Sequence, residues 1–477
     1  MRSASRIKGL AAAATHPVWH DTLTNASLAN AGSMPVAQHE HHRAPSQAQI
    51  DIAIIGGGFS GLWTAYYLSQ LAPQLRIAVL EARTIGFGAS GRNGGWCSGF
   101  LPLLPADLAQ HYGTTQALAT YRASFAILDE IKAVTQQQNI ACDFHRGGTV
   151  QSATTPLQAR RLAAVVEAQH AVGLTTADMA WIAPAQVADH LRVSETYGAI
   201  YSPHCATVNP YALCLGLARV LGDRGVALWE NSPVHAFDNG VVTHQFGRVT
   251  ANLVVQATEG YSHSLRQTKR RVVPLYSLMV ATERLDTSTI ASLGWKNRAT
   301  FNDGSEMIIY AQLTADDRIA FGGRGAPYHF GSRVRESFDL DYGTHERIVD
   351  SIAQHFPAAG NTRITHRWGG PLAVPRDWTP SITYDRAAKY ARLGGYVGDG
   401  VAATNLFART LVDLVLERDT ELTELPFVGH SSPRWEHEPF RYLGINSLIA
   451  LSNSIDQHEA RHGREPRLRR GLFAALL

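Results

Sequence analysis

The sequence predicts an α/β (α+β) fold in which a Rossmann-like domain, discontinuous in sequence, is interleaved with a second domain built on an antiparallel sheet. Three observations predict it. "IDIAIIGGGFSGLWTAYYLSQLAP" reads as a buried strand, a glycine turn and a helix, with a second buried strand, "RIAVLEA", directly after. A strand–glycine–helix element returns only near the far end, in "ARLGGYVGDGVAATNLFARTLVDLVLE". Between them, from Pro274 to Gly325, short strands alternate: "YSLMVATERL", "MIIYAQL" and "RIAFGGR".

The first element carries the clearest chemistry. "IDIAII" is a short β-branched run of the kind found in strands covered on both faces. It leads into Gly56-x-Gly58-x-x-Gly61, with Phe59 and Ser60 between the last two glycines. These glycines permit a tight turn, close approach of backbone to a pyrophosphate, and close packing of helix on strand. The helix N-terminus presents free N–H groups and a positive dipole end. Gly61, Ala65, Leu68 and Ala72 fall on one helical face, and Pro73 marks the end. Glu81 closes the second strand twenty residues past Gly61, where a carboxylate accepts hydrogen bonds from a ribose. Ala82 and Arg83 follow it at the same strand end. A dinucleotide site is the expectation. Because the unit is completed by a late segment and not by one continuous half, the dinucleotide expected is FAD.

The rest of the chain is organised around that unit. Residues 107–138 and 156–192 are helical in pattern, with strand-like "CDFHRGGTVQSA" between them, and a further helix is expected over 343–356. The domains expected are a tail over 1–48, a dinucleotide domain over 49–105, 195–272 and 365–425, a substrate domain over 106–194 and 273–364, and an extension over 426–477. The tail reads as extended, with a possible anchor at "PVWHDTL".

Composition narrows the function. Hydrophobic residues make up 45% and charged residues 17%, which describes a globular chain with a large core. A formal charge of +3, scattered, gives no reason to expect nucleic acid. No apolar run approaches the roughly 18 residues that span a bilayer. Four cysteines without a CxxC pair are expected as reduced thiols, in the cytoplasm. No metal is expected. His39, His41 and His42 lack a second ligand set, and the HExxH pattern from His458 to His462 sits in a charged segment with little chain after it.

The motifs "DIAIIGGGFSGLWTAYYLS", "VLEA", "GFGASGRNGG", "VNPYALCLGLA", "VVQATEGY", "VATERL", "RIAFGGR", "HRWGG" and "GYVGDGVAATNLFARTLVDLV" occur in that order across roughly residues 50–420. Together they resemble the D-amino-acid-oxidase-like superfamily of FAD-dependent amine oxidoreductases, and within it the γ-glutamylputrescine oxidase-like branch. The resemblance implies FAD with its isoalloxazine between the two domains. Some relatives attach FAD through a cysteine in the C-terminal half. Here no cysteine follows Cys214, so non-covalent FAD is expected.

By the same resemblance, Gly88, Ala89, Ser90, Arg92, Asn93, Gly94 and Gly95 would run along the flavin. Ser90, Arg92 and Asn93 would meet phosphate or ring edge, and Gly94 and Gly95 would pass beneath the ring. Gly398, Asp399, Gly400, Val401 and Ala402 would bring a helix N-terminus to the pyrimidine end, where a positive dipole favours reduction. Thr258 and Gly260 would lie beside the cofactor, after a strand in which Gln256 is unexpectedly polar, and Val234 would face the adenine. Trp96, Tyr310, Arg324, His329 and Trp368 are the substrate-side candidates. Arg324 would pair with an acidic group, and the aromatics would pack over an amine.

The activity implied is oxidation of a small primary or secondary amine, such as a γ-glutamyl-polyamine, an amino acid or an aminophosphonate. Hydride would pass from the α-carbon to flavin N5, the imine would hydrolyse, and O2 would reoxidise the flavin to give H2O2. A dehydrogenase using a quinone or protein acceptor is the alternative, and a non-catalytic FAD-binding sensor or assembly subunit is the alternative of another class. The segment "RWEHEPFRYLGIN" resembles that of a subset of these oxidases and carries no evident chemistry.

Overall fold

The computed structural model describes residues 9–23 and 43–476. Its first sheet grows from the strand Gln47–Ile55, which lies parallel between Ile77–Leu80 and Gly247–Gln256. Ala227–Trp229 extends the sheet on one side. On the other, Gly247–Gln256 divides its length between two partners. Its first half pairs with Val241–His244, one arm of a hairpin whose other arm is Val234–Asp238. Its last residues pair in parallel with Tyr390–Gly394, which in turn carries Ser381–Asp385. A late segment is thereby drawn into the sheet of the first strand.

The helix Phe59–Leu71 is buried at every residue from Phe59 to Ser69, not along one face. It lies against Gln47–Ile55 and Ile77–Leu80 while the helices Pro210–Asp223 and Gly400–Val415 also pack on it. A helix apolar all round is the form that such enclosure selects.

The second sheet has eight strands. Their order is Ile364–Pro375, Val272–Thr282, Ile319–Gly323, Ile309–Leu313, Thr300–Asp303, Thr149–Ser152, Ala199–Ser202 and Ala180–Ile182. All neighbours are antiparallel except Thr300–Asp303 with Thr149–Ser152, which run parallel.

Several expected boundaries move. Ile364–Pro375 pairs along its length with Val272–Thr282, so residues 365–375 lie in the antiparallel sheet and not the dinucleotide one. Ala199–Ser202, inside the expected 195–272 segment, also joins the antiparallel sheet. Conversely, the helices Pro105–Tyr112 and Thr114–Gln137 bury Leu108, Tyr121, Leu128 and Ile131 in the same core as Leu62 and Trp63. Backbone pairing claims the strands, and the apolar helix stripes follow the larger core. The helical pattern over 156–192 breaks after Pro156–Ala171, where Gly173 takes φ 108° and the chain turns into the strand Ala180–Ile182.

Residues 9–23, expected within an extended tail, form a strap across both layers. Leu10 is buried in the core of the antiparallel sheet. Ala14 bridges to His366 on the strand Ile364–Pro375. The short helix Val18–Asp21 buries Val18 and Trp19, and Trp19 meets Trp368 edge to face with ring centroids 6.5 Å apart. The His39, His41 and His42 cluster lies outside the described residues. At the other end, the Trp435 indole donates to the Val374 carbonyl (2.9 Å), and Glu438 accepts from the Tyr328 hydroxyl and the Gly331 amide. The "RWEHEPFRYLGIN" segment therefore latches the loop that follows Arg324. Among the described residues no helix is long and apolar enough to cross a membrane.

Trp19 is 2% exposed, so Trp19→Ala opens a cavity between the strap and the sheet. We expect a loss of about 3–5 kcal/mol in unfolding free energy, measured by denaturant titration.

Candidate functional site

The carboxyl ends of the parallel strands open onto a cavity of about 420 Å³. This is where open α/β sheets place ligands. Gly56, Glu81 and Ala257, each just past a strand of the first sheet, all line it. Two glycines of the turn are held by close approach. A Cβ at Gly56, where φ is 113°, would stand 2.4 Å from the Ala257 carbonyl oxygen. One at Gly61 would stand 2.0 Å from the Gly56 carbonyl oxygen, so Gly61 serves helix-on-strand packing and lines no cavity. Gly58, Phe59 and Ser60 face the cavity at the helix N-terminus. Glu81 accepts from the Gly57 amide (2.7 Å) and the Arg83 amide (2.9 Å), fixing turn and strand end together. Enclosure by protein pushes its carboxyl pKa up despite these bonds. Ala82, Arg83 and Val234 line the same cavity.

The glycine loop after the second strand is a compact turn. Residues Ala89–Arg92 form one helical turn, closed by Asn93, whose side-chain amide donates to the Ala89 and Ser90 carbonyls while its oxygen accepts from the Gly95 amide. The Ser90 hydroxyl accepts from the Phe59 amide (2.8 Å), tying loop to helix. Three successive carbonyls are then pinned by side chains from three other segments. Trp368 Nε1 donates to the Arg92 carbonyl (2.7 Å), Trp19 Nε1 to that of Asn93 (2.7 Å), and Gln312 Nε2 to that of Gly94. Gly88, Ala89, Ser90 and Asn93 line the large cavity. Gly95 lines neither cavity, because it turns away to pair with Val208.

Thr258 and Gly260 also line the cavity. Gln256 has its polarity explained. It is fully buried, donates to the Thr258 and Thr268 hydroxyls, and accepts from the Tyr390 hydroxyl (2.9 Å). Glu259 was not foreseen. Its carboxylate accepts from the Gly395 amide (2.9 Å) and the Tyr396 amide (3.2 Å), anchoring the start of the late turn. Burial pushes its pKa up to about 7. Of the late residues, Gly398, Gly400 and Val401 line the cavity, whereas Ala402 is buried inside the helix Gly400–Val415.

A second chamber of about 210 Å³ adjoins the first, sharing with it Ala89, Asn93, Leu372, Gly398 and Val401. Trp96, Tyr310 and Arg324, three of the substrate-side candidates, line it together. Arg92 and Gly94, expected along the cofactor, line this chamber and not the large cavity, and so does Asp399. Arg92 is drawn there by an ion pair with Asp339 (2.7 Å) and a bond to the Gly369 carbonyl (2.9 Å). Tyr310 stands between two glycines. A Cβ at Gly94 or Gly322 would fall 2.6 or 2.2 Å from its ring. Its hydroxyl meets Ser277 Oγ at 2.8 Å, and Trp96 packs on its ring edge. Burial lowers the Arg324 pKa, and burial pushes that of Asp399 up to about 6 while Arg324 pulls it the other way.

Two of the substrate-side candidates line neither cavity. Trp368 is 1% exposed and sits behind the loop, spending its indole N–H on Arg92. His329 stacks on Phe338 with centroids 3.4 Å apart and lines neither cavity. Sequence reasoning also missed Ser277 and Asn302, which line the chamber from strands far apart in the chain.

All four cysteines are buried, none lines either cavity, and burial pushes the Cys97 thiol pKa well up. In the HExxH pattern Glu459 is 3% exposed and paired with Arg161 and Arg470. Among the described residues the cluster with metal-ligand spacing is His16, Asp21 and His366, where Asp21 accepts hydrogen bonds from both imidazoles and locks the strap to the sheet.

The profile of the family described as FAD dependent oxidoreductase (DAO) matches residues 51–414. Gamma-glutamylputrescine oxidoreductase of Escherichia coli is 27% identical over 410 residues, covering 83% of this chain and 91% of its own. The probable oxidoreductase OrdL of Haemophilus influenzae is 27% identical over 406 residues, covering 82% and 86%. The crystal structure of glycine oxidase from Geobacillus kaustophilus has the same fold, with a TM-score of 0.67 at 19% identity over 80% of this chain and 99% of that one.

FAD suits this cleft on the structure's own terms. The cleft offers a helix N-terminus whose N-cap, Gly58, has no side chain, glycines that leave no room for a Cβ, and a carboxylate at the neighbouring strand end. Gly61→Ala drives a Cβ into the Gly56 carbonyl and should cost about 1–3 kcal/mol of stability, with FAD content lowered because the turn that meets the pyrophosphate must shift. Flavin absorbance per protein after gel filtration reads this out. Gly444→Ala, where a Cβ meets nothing within 4 Å, should retain FAD.

Proposed function

The chain belongs to the FAD dependent oxidoreductase family (DAO), and on that footing we propose that it is an oxidase of a small amine bearing an anionic group. The observation that carries this reading is the chamber with Arg324 on its wall, opening directly onto the nucleotide cleft. Its resemblance in sequence to gamma-glutamylputrescine oxidoreductase supports an amine as the reductant. Bound FAD supplies the acceptor for the hydride of the amine's α-carbon. The chain's own part is placement.

Residues from both cavities serve that placement. The pinned loop Ala89–Gly94 forms one wall at the junction, and the Arg92–Asp339 pair fixes it to the other layer. Tyr310, held between Gly94 and Gly322, and Trp96 give an aromatic face against which an amine packs. Arg324, carrying its charge inside the protein, holds the acid group and orients the carbon beside it. The helix start at Gly400, where the N-cap Asp399 makes no capping hydrogen bond, leaves its amides and positive dipole end free at the junction. Burial of all four cysteines as free thiols suits a cytoplasmic enzyme.

Anaerobic addition of an amine panel to the FAD-loaded protein should bleach the flavin with at least one anionic amine. Readmitted O2 should restore the colour and yield one H2O2 per amine consumed. Bleaching without O2 uptake would move the reading to a dehydrogenase, and no bleaching at all would refute the enzyme.

A further inference from the structure

The chamber beside the nucleotide cleft holds two opposite charges that attract each other across it without forming a direct ion pair, and the Arg324 guanidinium lies over the Trp378 ring, 5.6 Å from its centroid. The Arg324 guanidinium makes one hydrogen bond, from Nη2 to the Val397 carbonyl (2.6 Å). Among the described residues no carboxylate oxygen lies within 4.0 Å of it. The Asp399 carboxylate has neither a hydrogen-bond nor an ion-pair partner among the described residues. Both side chains line the same space of about 210 Å³. Arg92, the chamber's other cation, is already neutralised by Asp339 at 2.7 Å.

The position of Asp399 adds to this. It stands at the N-cap of the helix Gly400–Val415 yet makes no capping hydrogen bond. Gly400 lines the nucleotide cleft only, Gly398 and Val401 line both spaces, and Asp399 lines the chamber only. Asp399 therefore belongs to the lining of the chamber and not to that of the cleft.

An enclosed charge without a partner is costly. A ligand that is only a cation would answer Asp399 and leave Arg324 unmet, and one that is only an anion would do the reverse. A molecule with an ammonium and an acid group answers both. Resting on the amine-oxidising reading above, we propose that Asp399 is a substrate-binding residue that receives the ammonium of a small zwitterion and takes its proton, so that the amine reacts uncharged, while Arg324 holds the acid group. The chamber is smaller than the roughly 300–1,000 Å³ of pockets for drug-sized ligands, which favours a short amino acid or aminophosphonate over a long polyamine conjugate. A carboxylate and a phosphonate present the same oxyanion chemistry to Arg324.

The test uses the FAD-loaded protein under anaerobic conditions. Glycine, β-alanine, 4-aminobutyrate, aminomethylphosphonate and 2-aminoethylphosphonate are titrated against propylamine, a cation, and propionate, an anion. Perturbation of the flavin spectrum reads binding, and bleaching reads turnover. At least one zwitterion should bind about tenfold or more tighter than both single-charge compounds, a difference of about 1.4 kcal/mol or more. Comparison of the carboxylates with the phosphonates identifies the acid group. Asp399→Asn should weaken that zwitterion about 30-fold or more while leaving propionate within a few-fold. Arg324→Met should do the same to the zwitterion while sparing propylamine, and Arg324→Lys should keep part of the affinity. FAD content and melting of each variant show whether the fold is kept, and the preference of the unaltered protein is decisive if a variant fails to fold. Equal binding of all three classes, or an unchanged zwitterion affinity in a folded Asp399→Asn, overturns the pairing whatever bleaches the flavin. A zwitterion preference without bleaching by any amine overturns the oxidation and leaves the pairing standing.

Discussion

Three consecutive carbonyls, those of Arg92, Asn93 and Gly94, hold the site together. Each is met by a side-chain N–H from a different part of the chain: Trp368 on the strand Ile364–Pro375, Trp19 on the N-terminal strap, and Gln312 on the strand Ile309–Leu313. A loop this rich in glycine has many conformations to lose, and fixing it needs directional bonds more than apolar contact. Those bonds tie the dinucleotide layer to the substrate layer at the place where both cavities meet. The ion pair between Arg92 and Asp339 and the wedge of Tyr310 against Gly94 reinforce the same junction.

The discontinuous topology follows from the need to close that junction from both sides. Gly247–Gln256 accepts the hairpin on its first half and Tyr390–Gly394 on its last residues, so the late strand delivers the turn Tyr396–Gly400 to the mouth of the cleft. Glu259 then bonds the Gly395 and Tyr396 amides and sets the angle at which the final helix begins. The C-terminal segment plays a parallel part farther out. Glu438 bonds the loop after Arg324, and Trp435 bonds the Val374 carbonyl on the strand Ile364–Pro375.

The local part of this was legible in the sequence, and the assembled part was not. Gly56-x-Gly58-x-x-Gly61 and Glu81 lie within one strand–turn–helix–strand unit, so spacing alone places them around one ligand. The chamber draws on residues 96, 277, 302, 310, 324 and 399, which only the tertiary fold brings together. Trp368 shows how narrowly such reasoning misses. Strand alternation puts it on the same face as Gly370 and Leu372, which do line the chamber, but the glycine loop lies over its position. The strap was read as a tail because its anchors, Asn93, Asn209 and His366, are distant in sequence. Asp399 is expected at the cofactor with the rest of its turn, and nothing in the neighbouring residues signals that it lines the chamber instead.

The account rests on the junction: FAD in the cleft, its ring at the residues shared by both cavities, and the chamber open on the ring's far side. A crystal structure of the FAD-loaded protein tests it most directly. The account predicts the pyrophosphate at Gly56–Ser60, the ring beside Ala89, Asn93 and Val401, and Arg324 and Asp399 facing a free space across it. A ring lying elsewhere, or Arg324 and Asp399 closed on each other with no space left between them, would contradict it.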